Sequence, residues 1–193
     1  MSAFRFLVAR RYAARFARAD RGATAVEFAL IAVPFFTLMF GLMELTMVLL
    51  ASTTLESATE SAARRIRTGE FQQSGANTKA DFKTLVCNKM SWMQTQCSAD
   101  LFVDVQTFAN FAAMAANTPV SGSAFNPAAT CFSAGEPTDI VLVRTYFRWR
   151  LFTPLLNNAL QNMGSGSGMR LISSATAFRN EPYNENAPVG AKC

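Results

Sequence analysis

The feature that most constrains this chain is residues 22–51, GATAVEFALIAVPFFTLMFGLMELTMVLLA. From Phe28 to Ala51 run 24 residues with one charge, Glu44. As a helix rising about 1.5 Å per residue, that stretch covers roughly 36 Å, against about 30 Å for the hydrocarbon core of a bilayer. No other segment is both apolar and long enough to cross. The competing reading, a buried helix in a soluble domain, sits badly with the length, because core stretches are usually shorter.

The start of the segment is unusual for a plain anchor. Gly22 follows a basic stretch, and a carboxylate, Glu27, stands five residues past it. An acid in a membrane helix costs roughly 2.5–3.5 kcal/mol at the helix centre and less near the interface, so it needs a partner. A free α-amine on Ala23, made by cutting after Gly22, is one such partner: its reference pKa of about 8 leaves it cationic at neutral pH.

A basic leader, a glycine, an acid five residues on and an unbroken apolar helix form the pattern of class III signal peptides. With Phe28 after the acid and Pro34, Gly41 and Glu44 further along, RGATAVEFALIAVPFFTLMFGLMEL resembles the N-terminal segment of TadE-like proteins. These are the minor pilins, or pseudopilins, of the tight-adherence (Tad/Flp) type IVb pilus system. The resemblance covers about residues 20–67, and ATAFRNEPY (175–183) is similar to the closing motif of many such chains. It implies cleavage after Gly22 by a prepilin peptidase and a part in assembling or priming the pilus. Implied partners are inner-membrane lipid, the peptidase, other pilins and the Tad assembly platform proteins. The major Tad pilins are far shorter and nearly all helix, so the likeness points to a minor subunit. The alternative is an uncleaved single-pass anchor whose extracytoplasmic domain scaffolds a secretion apparatus, with Gly22 and Glu27 coincidental.

Charge sets the orientation. The net +5 resides in residues 1–22, which hold six arginines against Asp20; the rest of the chain carries 12 basic and 12 acidic side chains. A neutral body lacks the basic footprint that nucleic acid requires. The positive-inside rule then places the N-terminus in the cytoplasm and residues 52–193 outside. Three parts follow: a cytoplasmic leader (1–22), which also reads as a basic amphipathic helix, a transmembrane and extended spine helix (23–67), and an extracytoplasmic domain (68–193).

Cys87, Cys97, Cys131 and Cys193 all lie beyond the span. In an oxidising compartment four cysteines form two bridges out of three connectivities. Proximity favours Cys87–Cys97 with Cys131–Cys193. With no histidine in the chain, these spacings suit no metal, and no cofactor is expected.

The long helix should continue to Gly69, because Leu55, Ala58, Ala62 and Ile66 recur at three- and four-residue spacing. Glu44 falls within the apolar run, where an intramembrane acid marks a partner. The expectation is a protonated acid or one paired with a cation or hydroxyl on a neighbouring subunit; a tilt placing it at the outer interface is the other reading. Beyond, 79–95 reads as a helix capped by Asn77 or Thr78, and 109–137 as mostly loop. Strands are expected at 101–106, 139–151 and 169–180. On the second of these, Val141, Val143, Thr145, Phe147 and Trp149 should face one way, and Ile140, Leu142, Arg144, Tyr146, Arg148 and Arg150 the other; a face ending in three arginines reads first as a solvated sheet face, with a binding patch as the alternative. The expected fold is α+β and pilin-like: a spine helix covering a small three-stranded antiparallel sheet, with disulfide-pinned loops. Without histidine there is no Ser-His or Cys-His pair, and no phosphate-binding glycine loop is present. No catalytic residues are therefore expected.

Overall fold

The computed structural model describes residues 20–75, 78–115 and 118–183. The leader before Asp20, Asn77 and Cys193 lie outside the described residues, and so does the far end of the expected Cys131–Cys193 pairing. Cys131 is not a free thiol. The chain divides into two compact units, Met1–Met43 and Glu44–Cys193, and helix α1 (Asp20–Arg67) contributes to both. Its 48 residues rise about 72 Å.

The first unit is described from Asp20 to Met43, all helical. Pro34 lies inside the helix and, having no N–H, leaves the Leu30 carbonyl without its usual donor. The large apolar side chains point outward: Phe28, Leu30, Ile31 and Leu38 are each 69–71% exposed.

The second unit is α+β. Along α1, Ala51, Leu55, Ala58, Ala62 and Ile66 are at most 1% exposed, the stripe that the spacing predicts. Small side chains let the helix lie close on a sheet of β1 (Leu101–Phe108), β4 (Ile140–Arg150) and β5 (Met169–Arg179). The strand order is β1-β4-β5, antiparallel throughout, with Val105 opposite Val143 and Val143 opposite Thr176. Thr145 of β4 places its hydroxyl oxygen 2.7 Å from that of Thr59 on α1. Thr59 also lies 2.7 Å from the Leu55 carbonyl and donates to it, so Thr145 donates to Thr59. The pair satisfies two hydroxyls that would otherwise be buried without partners.

Between α1 and β1 come α2 (Glu70–Gln73), α3 (Lys79–Lys89) and α4 (Gln94–Asp100). Thr78 caps α3 in a capping box with Asp81, and those hydrogen bonds hold the Asp81 carboxyl below its ordinary value. The Cys87–Cys97 disulfide ties α3 to α4, as proximity suggested. Phe71, Phe82 and Phe132 form an aromatic cluster with centroids 5.6–5.9 Å apart, closing one side of the core.

One expectation fails. The second face of β4 is not solvated: Leu142, Arg144 and Tyr146 are buried, at 4–8% exposure. Residues 109–137 contain short 3-10 turns and a small β2–β3 hairpin (Val120–Ser121, Ala124–Phe125). Phe125 packs on Tyr146 and on Phe102, with centroids 5.1 and 5.2 Å apart. Segment Cys131–Ser133 pairs with Val105, whose N–H donates to Cys131 O and whose carbonyl accepts from Ser133 N. Apolar area on both sheet faces thus draws the loop over the second one.

Candidate functional site

Three places carry the residues that the sequence singles out. The first is the start of α1. Gly22 is exposed within the helix, and a Cβ built there would meet nothing within 4 Å. No close packing requires a glycine, although glycine disfavours a helix interior by roughly 0.5–1 kcal/mol relative to alanine. Ala23 is helical. Glu27 is exposed, and Phe28 beside it is 70% exposed. No ion pair or hydrogen bond reaches Glu27 among the described residues.

The second place is Glu44, the first residue of the second unit. It is fully buried. One carboxylate oxygen accepts from the Phe152 N–H at 2.7 Å and the other from the Thr153 N–H at 2.9 Å. The local reason is clear. β4 ends at Arg150, so these two N–H groups have no ladder partner, and Pro154, which opens the next turn, has none to offer. Where the sequence leads one to expect a partner on a neighbouring subunit, the chain itself supplies two donors to Glu44. A long-range pairing 108 residues apart leaves no periodic trace in the sequence.

The third place is the closing motif. Asn180 donates through its amide to Ala134 O and Glu136 O, both at 3.0 Å. The Glu181 N–H donates to Arg67 O at 2.8 Å, and the Glu181 side chain pairs with Arg67 at 3.0 Å. Tyr183 lays its ring on Gly69, and its hydroxyl donates to Gly135 O at 2.9 Å. Gly69 has φ +76°, a left-handed conformation, and a Cβ there would collide with the Tyr183 ring. RNEPY is a clasp joining the end of α1 to the end of β5.

The arginines of β4 are largely absorbed by the fold. Arg144 Nε donates to Asp104 Oδ2 at 2.9 Å, with the Asp104 side chain fully buried. Asp104 Oδ1 accepts from Cys131 N and Gln106 Nε2, each at 2.9 Å. Burial lowers the Lys79 pKa, with Asp104 opposing the shift, and Lys79 donates to the Thr130 carbonyl at 3.0 Å. Arg148 stacks 4.7 Å above the Phe102 ring and pairs with Asp100 at 3.3 Å. Arg150 is exposed.

These features define a class: an α+β domain built on the upper part of one continuous N-terminal helix whose lower part exposes large apolar side chains. A helix of that length and composition suggests membrane anchoring. Residues 22–64 match the family model described as TadE-like protein. The TadE-like likeness thus holds over the segment containing Gly22, Glu27 and Glu44, and that family suggests a protein associated with the Tad pilus. No curated protein and no solved structure matches the chain.

Proposed function

We propose that this chain is a minor pilin or pseudopilin of the tight-adherence pilus, cleaved after Gly22 by a prepilin peptidase, with a structural rather than catalytic role. The observation that carries this reading is negative space around Gly22 and Glu27. Neither serves the fold: the glycine has free room for a side chain, and the acid is exposed on an apolar helix. Both fit a processing step followed by assembly. The subunit waits in the inner membrane with residues 1–22 in the cytoplasm and its C-terminal domain in the periplasm. Cleavage removes the arginines that resist extraction. It also exposes the Ala23 amine, which neutralises Glu27 of a neighbouring subunit, so that helices register one against the next in contact with other pilins and the assembly platform.

N-terminal sequencing of the protein from membranes that contain an active prepilin peptidase tests the processing step. The expected mature chain begins at Ala23. A chain that retains residues 1–22 overturns it and leaves the uncleaved anchor. Glu27→Gln then tests the pairing: the chain should still be cut, but assembly should fall.

A further inference from the structure

The sheet has two ends, and they are unlike. α1 and β4 run antiparallel along each other: Thr59 meets Thr145 at mid-strand, while Glu44 holds Phe152 and Thr153 just past the end of β4. At the other end Arg67 O takes the Glu181 N–H just past the end of β5. Glu44 to Arg67 rises about 35 Å, close to the length of an 11-residue strand. The Glu44 end therefore marks one edge of the domain.

That edge exposes apolar side chains beside the polar 157–168 crossover, whose Gly168 carbonyl accepts from the Leu151 N–H. Phe152 is 52% exposed between buried Leu151 and Thr153, although Glu44 fixes its backbone. Trp92 is 51% exposed and stands edge-on to Trp149, its centroid 6.0 Å away. Arg150, two residues before Phe152, is exposed. On α1 itself, Leu45, Leu49 and Leu50, within the six residues that follow Glu44, are 47–64% exposed. These leucines belong to the uninterrupted apolar run that begins at Phe28. A phenylalanine, a tryptophan and an arginine ringing the upper end of such a run have the chemistry of a membrane–water interface. There aromatic rings sit among headgroups, and arginine reaches lipid phosphate.

We infer that the 150–153 turn is a membrane foot: Phe152 and Trp92 dip into the outer leaflet of the bilayer that α1 crosses, and the buried Glu44 carboxylate holds the turn down at that depth. The inference rests on the membrane-anchor reading of α1. The hydrocarbon boundary then lies near Glu44 rather than at Ala51. Glu44 needs no subunit partner there, because two backbone N–H groups accompany it.

Photo-crosslinking of the full chain in membranes tests this. Phe152, Leu38 and Phe111 are replaced, one at a time, by benzoyl-phenylalanine. Leu38 is 69% exposed in the apolar run, and Phe111 is 57% exposed beyond the opposite end of the sheet. An intact Cys87–Cys97 bridge reports folding. The expected result is lipid adduct at positions 152 and 38 and none at 111. Protein adduct at 152 overturns the foot in favour of a second copy or another partner, and so does lipid at 38 with none at 152. Lipid at 111 as well overturns it too, because the domain would then lie flat. Absence of lipid at 38 overturns the membrane reading itself, a distinct outcome.

Discussion

The two stretches of α1 follow different rules. From Glu44 to Arg67 the buried residues are small or well fitted, such as Ala51, Leu55, Ala58 and Ala62, while Glu56 and Glu60 face outward. From Gly22 to Met43 the large residues themselves face outward, and the one acid, Glu27, is exposed with them. One helix thus passes from a sequence written for a sheet to a sequence written for surroundings outside the chain. Mutations in the upper stretch should therefore register as stability, and those in the lower stretch as processing, anchoring or assembly.

The sharpest contrast is between two acids. Asp104→Ala leaves Arg144 buried without its partner, and breaking such a pair costs about 3–5 kcal/mol. Glu27→Ala should change unfolding of the same detergent-solubilised chain by no more than about 0.5 kcal/mol. Equal losses would mean that Glu27 has a partner within the fold, and the contrast would collapse. Next come two leucines. Leu55→Ala removes a fully buried side chain and should cost about 2–5 kcal/mol in chemical denaturation. Leu30→Ala, 71% exposed, should leave the midpoint within error.

Much of the upper stretch was legible in the sequence. The stripe Leu55, Ala58, Ala62, Ile66, the three strands and the Cys87–Cys97 bridge all leave local signals: spacing, alternation and proximity. At the start of α1, Gly22 and Glu27 stand out in the sequence because a glycine and an acid in an apolar helix contradict their surroundings. The failures share another cause. Arg144 reads as a solvated residue because arginine usually is; only the fold brings Asp104 opposite it on β1. Glu44 finds its N–H partners across the whole domain, and Gly69, legible as the stop of α1, has a further contact with Tyr183 that was not. Nothing in a 10-residue window announces contacts made at such separation.

Two glycines extend the comparison at a smaller scale. Gly69→Ala forces a side chain into the left-handed region, at about 1–2 kcal/mol, and displaces the Tyr183 ring as well. Thermal unfolding should show the loss, and Tyr183→Ala in the same background should recover part of it. Gly22→Leu should leave thermal unfolding unchanged and abolish cleavage, read by intact mass. A Gly22→Leu chain that is cut normally would remove the sequence basis for processing there.

The clasp also predicts how the upper unit responds to alkali. Burial raises the Tyr183 pKa above its ordinary 10.0, and the nearby Asp139 and Glu136 carboxylates push the same way against hydrogen bonds from Gln72 and Asn180. A raised folded-state value means that the neutral phenol is the stabilised form. Its contribution is complete below pH 10 and disappears as pH climbs through the folded-state value, when the phenol loses the proton it donates to Gly135 O. Tyr146 is raised and Lys79 lowered by burial in the same alkaline range, so the informative quantity is a difference. Tyr183→Phe should cost about 0.5–1.5 kcal/mol at pH 8, the net worth of one hydrogen bond, and the gap from the natural chain should close above pH 10. A gap that stays constant across that range would mean the ring alone, stacked on Gly69, holds the clasp shut.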